Sequence, residues 1–134
     1  MGIIFDTCIW IGIATGQLKG DAVIALAGAL PVFVSTISLG ELEFGVQSCA
    51  EPNERSRKAA YLRRLESRPA LEVSRSTAAA FGVLAAAVKH AGRSPRPRYN
   101  DLWIAAQAIE HSYTLLTINA NDFVRLPGLR VIGL

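Results

Sequence analysis

Ile3-Ile4-Phe5-Asp6-Thr7 is the stretch on which the fold turns. With Gly2 before it, the apolar run is short, β-branched and aromatic, which reads as a buried strand from Gly2 to Phe5. A carboxylate follows at the point where the strand stops. Asp6-Thr7 then offers a cap for a helical turn through Ile9, Trp10 and Ile13.

The same alternation continues along the chain. Asp21 is placed to cap a short helix from Ala22 to Leu30, and Pro31 to Val34 reads as the next apolar strand. Ser35 or Thr36 starts a helix on which Leu39, Leu42, Val46 and Cys49 follow the spacing of a buried stripe. After the break at Glu51-Pro52-Asn53, a charged helix runs to about Arg68 with Ala59, Leu62 and Leu65 on one side. Pro69 to Val73 is an extended connection or short strand. Ser76 or Thr77 opens an amphipathic helix that buries Phe81, Leu84, Ala85 and Val88 and ends near Gly92. The prolines of Arg93-Ser94-Pro95-Arg96-Pro97-Arg98 exclude a helix interior or a central strand. Asn100 is placed to cap a helix from Asp101 to about Ser112, with Leu102, Ala105, Ala108 and Ile109 inward. Thr114 to Ile118 is another buried strand, Asn119 to Phe123 a turn, and Arg130 to Ile132 a last short strand. Strands separated by helices predict an α/β fold, a single domain over 1–134 with a parallel sheet between helical layers. Ligands in such folds bind outside the carboxyl ends of the strands.

Composition narrows the function. With 51% hydrophobic and 19% charged residues, the chain has the makings of a core and is not a disordered tail. Cys8 and Cys49 form neither a metal-ligand pattern nor a disulfide framework, which suits a reducing, cytoplasmic compartment. Ala22 to Val34 is apolar, but a span needs about 20 residues and Pro31 interrupts this one, so no membrane segment is expected. The net charge of +3 hides an asymmetry: residues 55–98 carry eleven of the fourteen Lys and Arg and two acids, Glu66 and Glu72. That block is +9 and the remainder −6, which fits an anionic partner gripped by one region and a cation held by the other. A solvated Arg-rich helix face would give the same count.

Four acids sit where such a cation would bind. Asp6 follows the first strand, Asp101 is in the first turn of its helix, and Asp122 lies in the turn after the Thr114–Ile118 strand. Glu41 lies inside a helix, on one face with Ser38 and Gly45 and away from the apolar stripe. Clustered carboxylates repel, and a cation among them relieves that repulsion. An all-oxygen set without Cys or His suits Mg²⁺ or Mn²⁺, one or two ions. Such ions activate water and offset charge on a phosphate. Each acid alone has an ordinary alternative, as a turn former or as a charge favoured by a helix dipole.

Together the motifs carry a resemblance. Ile4-Phe5-Asp6-Thr7-Cys8, Thr36-x-Ser38-x-x-Glu41, Asn100-Asp101-x-x-Ile104-Ala105-Ala106 and Leu116-Thr117-x-Asn119-x-x-Asp122-Phe123 resemble the four signatures of PIN-domain nucleases. From residue 3 to about 130, in order, the chain is similar to VapC-type toxins of bacterial type II toxin–antitoxin pairs. The resemblance implies an α/β/α, Mg²⁺- or Mn²⁺-dependent endoribonuclease, usually dimeric, held in check by a small cognate antitoxin. It implies that Asp6 and Asp101 are the main metal ligands, that Glu41 holds or orients a second ion or its water, and that Asp122 completes the set. Thr7, Thr117 and Asn119 would hydrogen-bond around the ligands, with Ser38 on the same wall. One departure is Asn119, where many relatives carry an acid; its amide adds no charge. Arg93, Arg96 and Arg98 lead straight into Asp101 and are expected to rim the site and bind RNA phosphates. Two rival readings remain: a phosphatase with Asp6 as nucleophile, which would want an acid where Cys8 stands, and a catalytically weak RNA- or partner-binding module. Cys8 itself reads as a small buried hydrophobe. Packing is the default for Trp10 and Trp103, and a dipole or solvent role for His90 and His111.

Overall fold

The computed structural model describes all 134 residues. Its five strands, β1 (Ile3–Phe5), β2 (Val32–Ser35), β3 (Ala70–Leu71), β4 (Thr114–Thr117) and β5 (Arg130–Gly133), form one sheet in the order β3-β2-β1-β4-β5, every pair parallel. Six helices connect them: α1 (Thr7–Ala14), α2 (Gly20–Ala25), α3 (Thr36–Gln47), α4 (Pro52–Leu65), α5 (Arg75–His90) and α6 (Tyr99–His111). None is long and apolar enough to cross a membrane.

The two-residue period of a strand divides the core into two layers. On one face, Ile3 and Phe5 of β1, Val32 and Val34 of β2 and Leu116 of β4 pack with Ile9 and Trp10 of α1, Val23 of α2 and Leu65 of α4. On the other, Ile4 and Leu115 pack with Leu84 and Val88 of α5 and with Leu102, Ile104 and Ala105 of α6. Both layers meet at β1, where all three side chains are buried. Burial on this scale is worth about 1.5–3 kcal/mol for each large side chain. It anchors the end of β1, and therefore Asp6, in the core.

Strand order places the site. From β1 the chain moves outward through β2 and β3, and then returns by α5 and α6 to build β4 and β5 on the other side of β1. The direction reverses between β1 and β4, and in open parallel sheets the crevice outside the carboxyl ends at such a reversal is where ligands bind.

The strands fall where the sequence puts them; several helix starts do not. Lys19 occupies the cap position of α2, Asp21 lies in its first turn, and the helix stops at Ala25, with Gly28 at a φ of +60° in the turns that follow. α5 begins at Arg75, one or two residues early. Ser74 is its cap, and Thr77, read as a possible start, is the N3 partner of a capping box. Asn100 does not cap α6: a 3-10 turn at Arg96–Arg98 runs into the helix at Tyr99 and leaves Asn100 and Asp101 both in its first turn. On α3, Val46 is buried, whereas Leu39 and Leu42 are only partly covered, and the other buried residue is the polar Ser38; Cys49 lies beyond the end of the helix, which stops at Gln47 with Ser48 as its cap.

Candidate active site

Asp6 caps α1 with an extended backbone, and its carboxylate is 3% exposed. Oδ1 accepts from the Thr7 backbone N–H at 2.8 Å, and Oδ2 accepts from the Thr117 hydroxyl at 2.9 Å. The second bond crosses the β1–β4 reversal, joining the ends of the two strands that form it. Thr117 Oγ1 in turn accepts from the Asn119 backbone N–H at 3.1 Å. Asn119 thus contributes through its backbone, and its side chain is exposed.

Thr7 makes a second hub. Its hydroxyl lies 2.7 Å from both Glu41 Oε1 and Ser38 Oγ. Having one proton, it donates to the carboxylate, and the buried Ser38 hydroxyl donates to it. This explains a polar residue at a fully buried position of α3: Ser38 orients Thr7, and Thr7 orients Glu41. Glu41 stands between two grooves. One, of about 540 Å³, lies between α1, α3 and α4 and includes Gly45, Arg57 and Tyr61; the other, of about 640 Å³, includes Thr7, Gly40 and Asn100. Gly45, without a side chain, does leave open space beside Glu41.

Asp101 closes the group from α6. Burial, then Asp6, then Glu41 push its pKa up to about 6; Arg98 draws it down, and Asp122 raises it again. The four acids therefore converge on one region, although Asp122 is exposed. None has a cationic partner, since the three ion pairs of the chain are Lys58–Glu54, Arg63–Glu66 and His111–Glu110. Buried like charge without a counter-ion is costly, and a hard divalent cation is the partner these oxygens suit. No three of the acids close on one point at ligating spacing in this arrangement. Donor chemistry and convergence fit a cation; a full coordination shell would require side chains such as exposed Asp122 to turn inward.

The remaining candidates are placed as follows. Arg93 and Arg96 are exposed, whereas Arg98 is half-buried and donates through Nη2 to the Asp122 carbonyl. Cys8 is half-buried, not fully covered. Its thiol lies 3.5 Å from Asp6 Oδ2 and 3.6 Å from Thr117 Oγ1, and burial is the main cause that raises its pKa. It is a neutral donor beside Asp6, a contact that composition alone did not reveal. Trp10 packs against Phe5, with ring centres 4.9 Å apart, and Trp103 stacks on Phe81 at 3.9 Å.

Fold and site together define a doubly wound α/β domain with an acid-lined crevice at its topological reversal. The PIN domain family model matches residues 3–129. Ribonuclease VapC1 of Rickettsia felis is 31% identical over 140 aligned positions, covering 98% of this chain and 96% of the relative. Ribonuclease VapC4 of Mycobacterium tuberculosis is 28% identical over 127 residues, 95% and 92% of the two chains. Among solved structures, VapBC2 from Rickettsia felis, bound to a DNA fragment from its promoter, matches with a TM-score of 0.85 at 25% identity, covering 100% of this chain and 99% of that one. VapBC-1 from nontypeable Haemophilus influenzae matches at 0.81 and 25% identity, over 99% and 98%. The chain belongs to the PIN-domain family and, within it, to the VapC-type ribonucleases.

Proposed function

We propose that this ribonuclease is the toxic half of a type II toxin–antitoxin pair and hydrolyses RNA phosphodiesters with a divalent cation, Mg²⁺ or Mn²⁺, held among Asp6, Asp101, Glu41 and Asp122. One observation carries the reading: four acids meet at the β1–β4 reversal, none is in an ion pair, and the charge of Arg98 offsets only part of what Asp6, Glu41 and burial impose on Asp101. When bound, the cation offsets charge developing on the phosphate and lowers the pKa of water beside it.

The chain's own residues do the positioning. Thr117 and the Thr7 N–H hold both oxygens of Asp6, so this ligand is set before any ion arrives. Ser38 and Thr7 hold Glu41 toward the same space. Asp101 shares the first turn of α6 with Asn100, immediately after the arginine-rich loop. Exposed Arg93 and Arg96 on that loop suit RNA phosphates, since the guanidinium fork bonds two oxygens at once. Support for an antitoxin partner comes from the neighbours in Rickettsia felis and Haemophilus influenzae, both toxin–antitoxin assemblies by their VapBC names. The protein works as a homodimer in the cytoplasm, the latter in keeping with its two free thiols.

The test is cleavage of RNA by purified protein in Mg²⁺, in Mn²⁺ and in EDTA, for the parent and Asp6→Asn. Cleavage that requires the ion and disappears in the variant is expected; cleavage that survives EDTA sinks the metal mechanism. Exposed, uncharged Asn119 motivates a second reading, a binding module without turnover. RNA that binds and is never cut at any metal concentration would favour it.

A further inference from the structure

Arg98 is the only side chain whose hydrogen bond joins the loop before α6 to the turn after β4. Its Nη2 donates to the backbone carbonyl of Asp122, and its guanidinium carbon stands 5.3 Å over the ring of Phe123, which is 1% exposed. A cation over an aromatic face and a charge-assisted hydrogen bond fix the fork from two directions. Asp101 lies three residues further on and feels the same positive charge. Arg93 and Arg96, on the same loop, make no such contact and stay exposed. Three arginines close in sequence therefore divide into two kinds.

We propose that Arg98 is a positioning residue and not an RNA contact: it clamps the Ala120–Asp122 turn against the start of α6 and so holds Asp122 within reach of the ion that Asp101 binds. The inference rests on the proposed metal site. Asp122 is exposed and its side chain makes no hydrogen bond; backbone bonds from Asp122 N–H to Asn119 and Phe123 N–H to Ala120 shape its turn, and the buried Phe123 anchors the turn's end in the core layer shared with α6. Without the clamp the turn keeps its local shape and its anchor at Phe123, and Asp122 loses its tie to the start of α6. A phosphate-binding arginine would act differently, because its removal weakens RNA binding and leaves the affinity for metal alone.

The experiment compares Arg98→Met, Arg98→Lys and Arg96→Met in the full chain. Two measurements are made: the half-saturating Mn²⁺ concentration from thermal melting without RNA, and KM and kcat for RNA cleavage. For Arg98→Met the half-saturating Mn²⁺ should rise about tenfold, the lower end of what loss of an outer-shell partner costs. Its kcat should fall at limiting Mn²⁺ and recover at saturating Mn²⁺, with KM for RNA unmoved. Arg96→Met should raise KM and leave the Mn²⁺ midpoint alone. A rise in KM for Arg98→Met with an unchanged midpoint overturns the proposal, and so does a variant that matches the parent in both. If Arg98→Met does not fold, Arg98→Lys decides: it keeps the charge without the planar fork, and a shifted midpoint supports the clamp while an unshifted one removes it. A parent protein that shows no Mn²⁺-dependent melting shift overturns the metal site itself; a parent that shifts beside an Arg98→Met that shifts identically overturns only the clamp.

Discussion

The two sides of the acidic crevice are built differently. On the β1 side, Asp6 is buried, follows directly from a three-residue strand packed on both faces, and has both oxygens hydrogen-bonded. On the side after β4, Asn119 and Asp122 lie exposed on a 3-10 turn, tied to the rest of the site by the Asn119 N–H, the Asp122 carbonyl and Arg98. One acid is thus preorganised by the core and the other is held by a loop. A ligand that need not reorganise contributes more of its interaction to binding, so the first three acids should dominate and Asp122 should tune.

Substitution of the acids themselves breaks that comparison most sharply. Asp6→Asn should lower cleavage by more than about 100-fold, since outer-shell changes alone reach that size. Asp122→Asn should cost about tenfold or less; equal losses in steady-state assays would erase the asymmetry. Next in size is Thr117→Val, which deprives Asp6 Oδ2 and the Asn119 N–H of their partner together. It should weaken Mn²⁺ binding by roughly 10–100-fold and cost about 1–3 kcal/mol in urea unfolding, because buried polar groups lose their bonds. A variant with parental metal affinity would show that the hydroxyl does not set the ligand.

The pH dependence follows from Asp101, whose pKa rises from 3.8 to about 6. The folded chain holds this proton more tightly than the unfolded chain. Its contribution to stability is therefore fully present below the unfolded value and is lost as the pH rises through the folded one. Without divalent ions, the part of the melting temperature that depends on Asp101 should fall between about pH 4 and pH 6. Asp101→Asn should flatten that slope, and millimolar Mn²⁺ should oppose it by favouring the ionised form. A slope unchanged in Asp101→Asn would show that Asp101 is not strained by its neighbours.

The smallest effect is expected at the opposite end of the sheet, where Ser112 ends α6 with a φ of 57°. Glycine accepts that conformation without strain, so Ser112→Gly should stabilise by less than about 1 kcal/mol and leave Mn²⁺ affinity untouched. A change in metal affinity there would mean that the crevice senses the whole sheet.

Much of this architecture is written locally. Ile3-Ile4-Phe5 and Thr114–Thr117 carry their strand identity in residue type, and Asp6-Thr7 announces the turn into α1. Ser38, Glu41 and Gly45 share a face by helical spacing alone, and Ser38 and Glu41 do meet one side chain, Thr7. Helix starts were less legible because Ser and Thr serve equally as cap and as N3 partner; which of Ser74 and Thr77 did which depended on both bonds forming. Least legible was Arg98. Its partners, the Asp122 carbonyl and Phe123, lie some two dozen residues away, and no pattern of charge distinguishes it from Arg96.

Calorimetric titration of Mn²⁺ into the parent, Asp6→Asn and Asp122→Asn proteins, without RNA, tests the central claim most directly. Heat of binding should be present in the parent, absent in Asp6→Asn and weakened in Asp122→Asn. Unchanged binding in Asp6→Asn would contradict the account, because the acid that the sheet holds most firmly would then not be holding the ion.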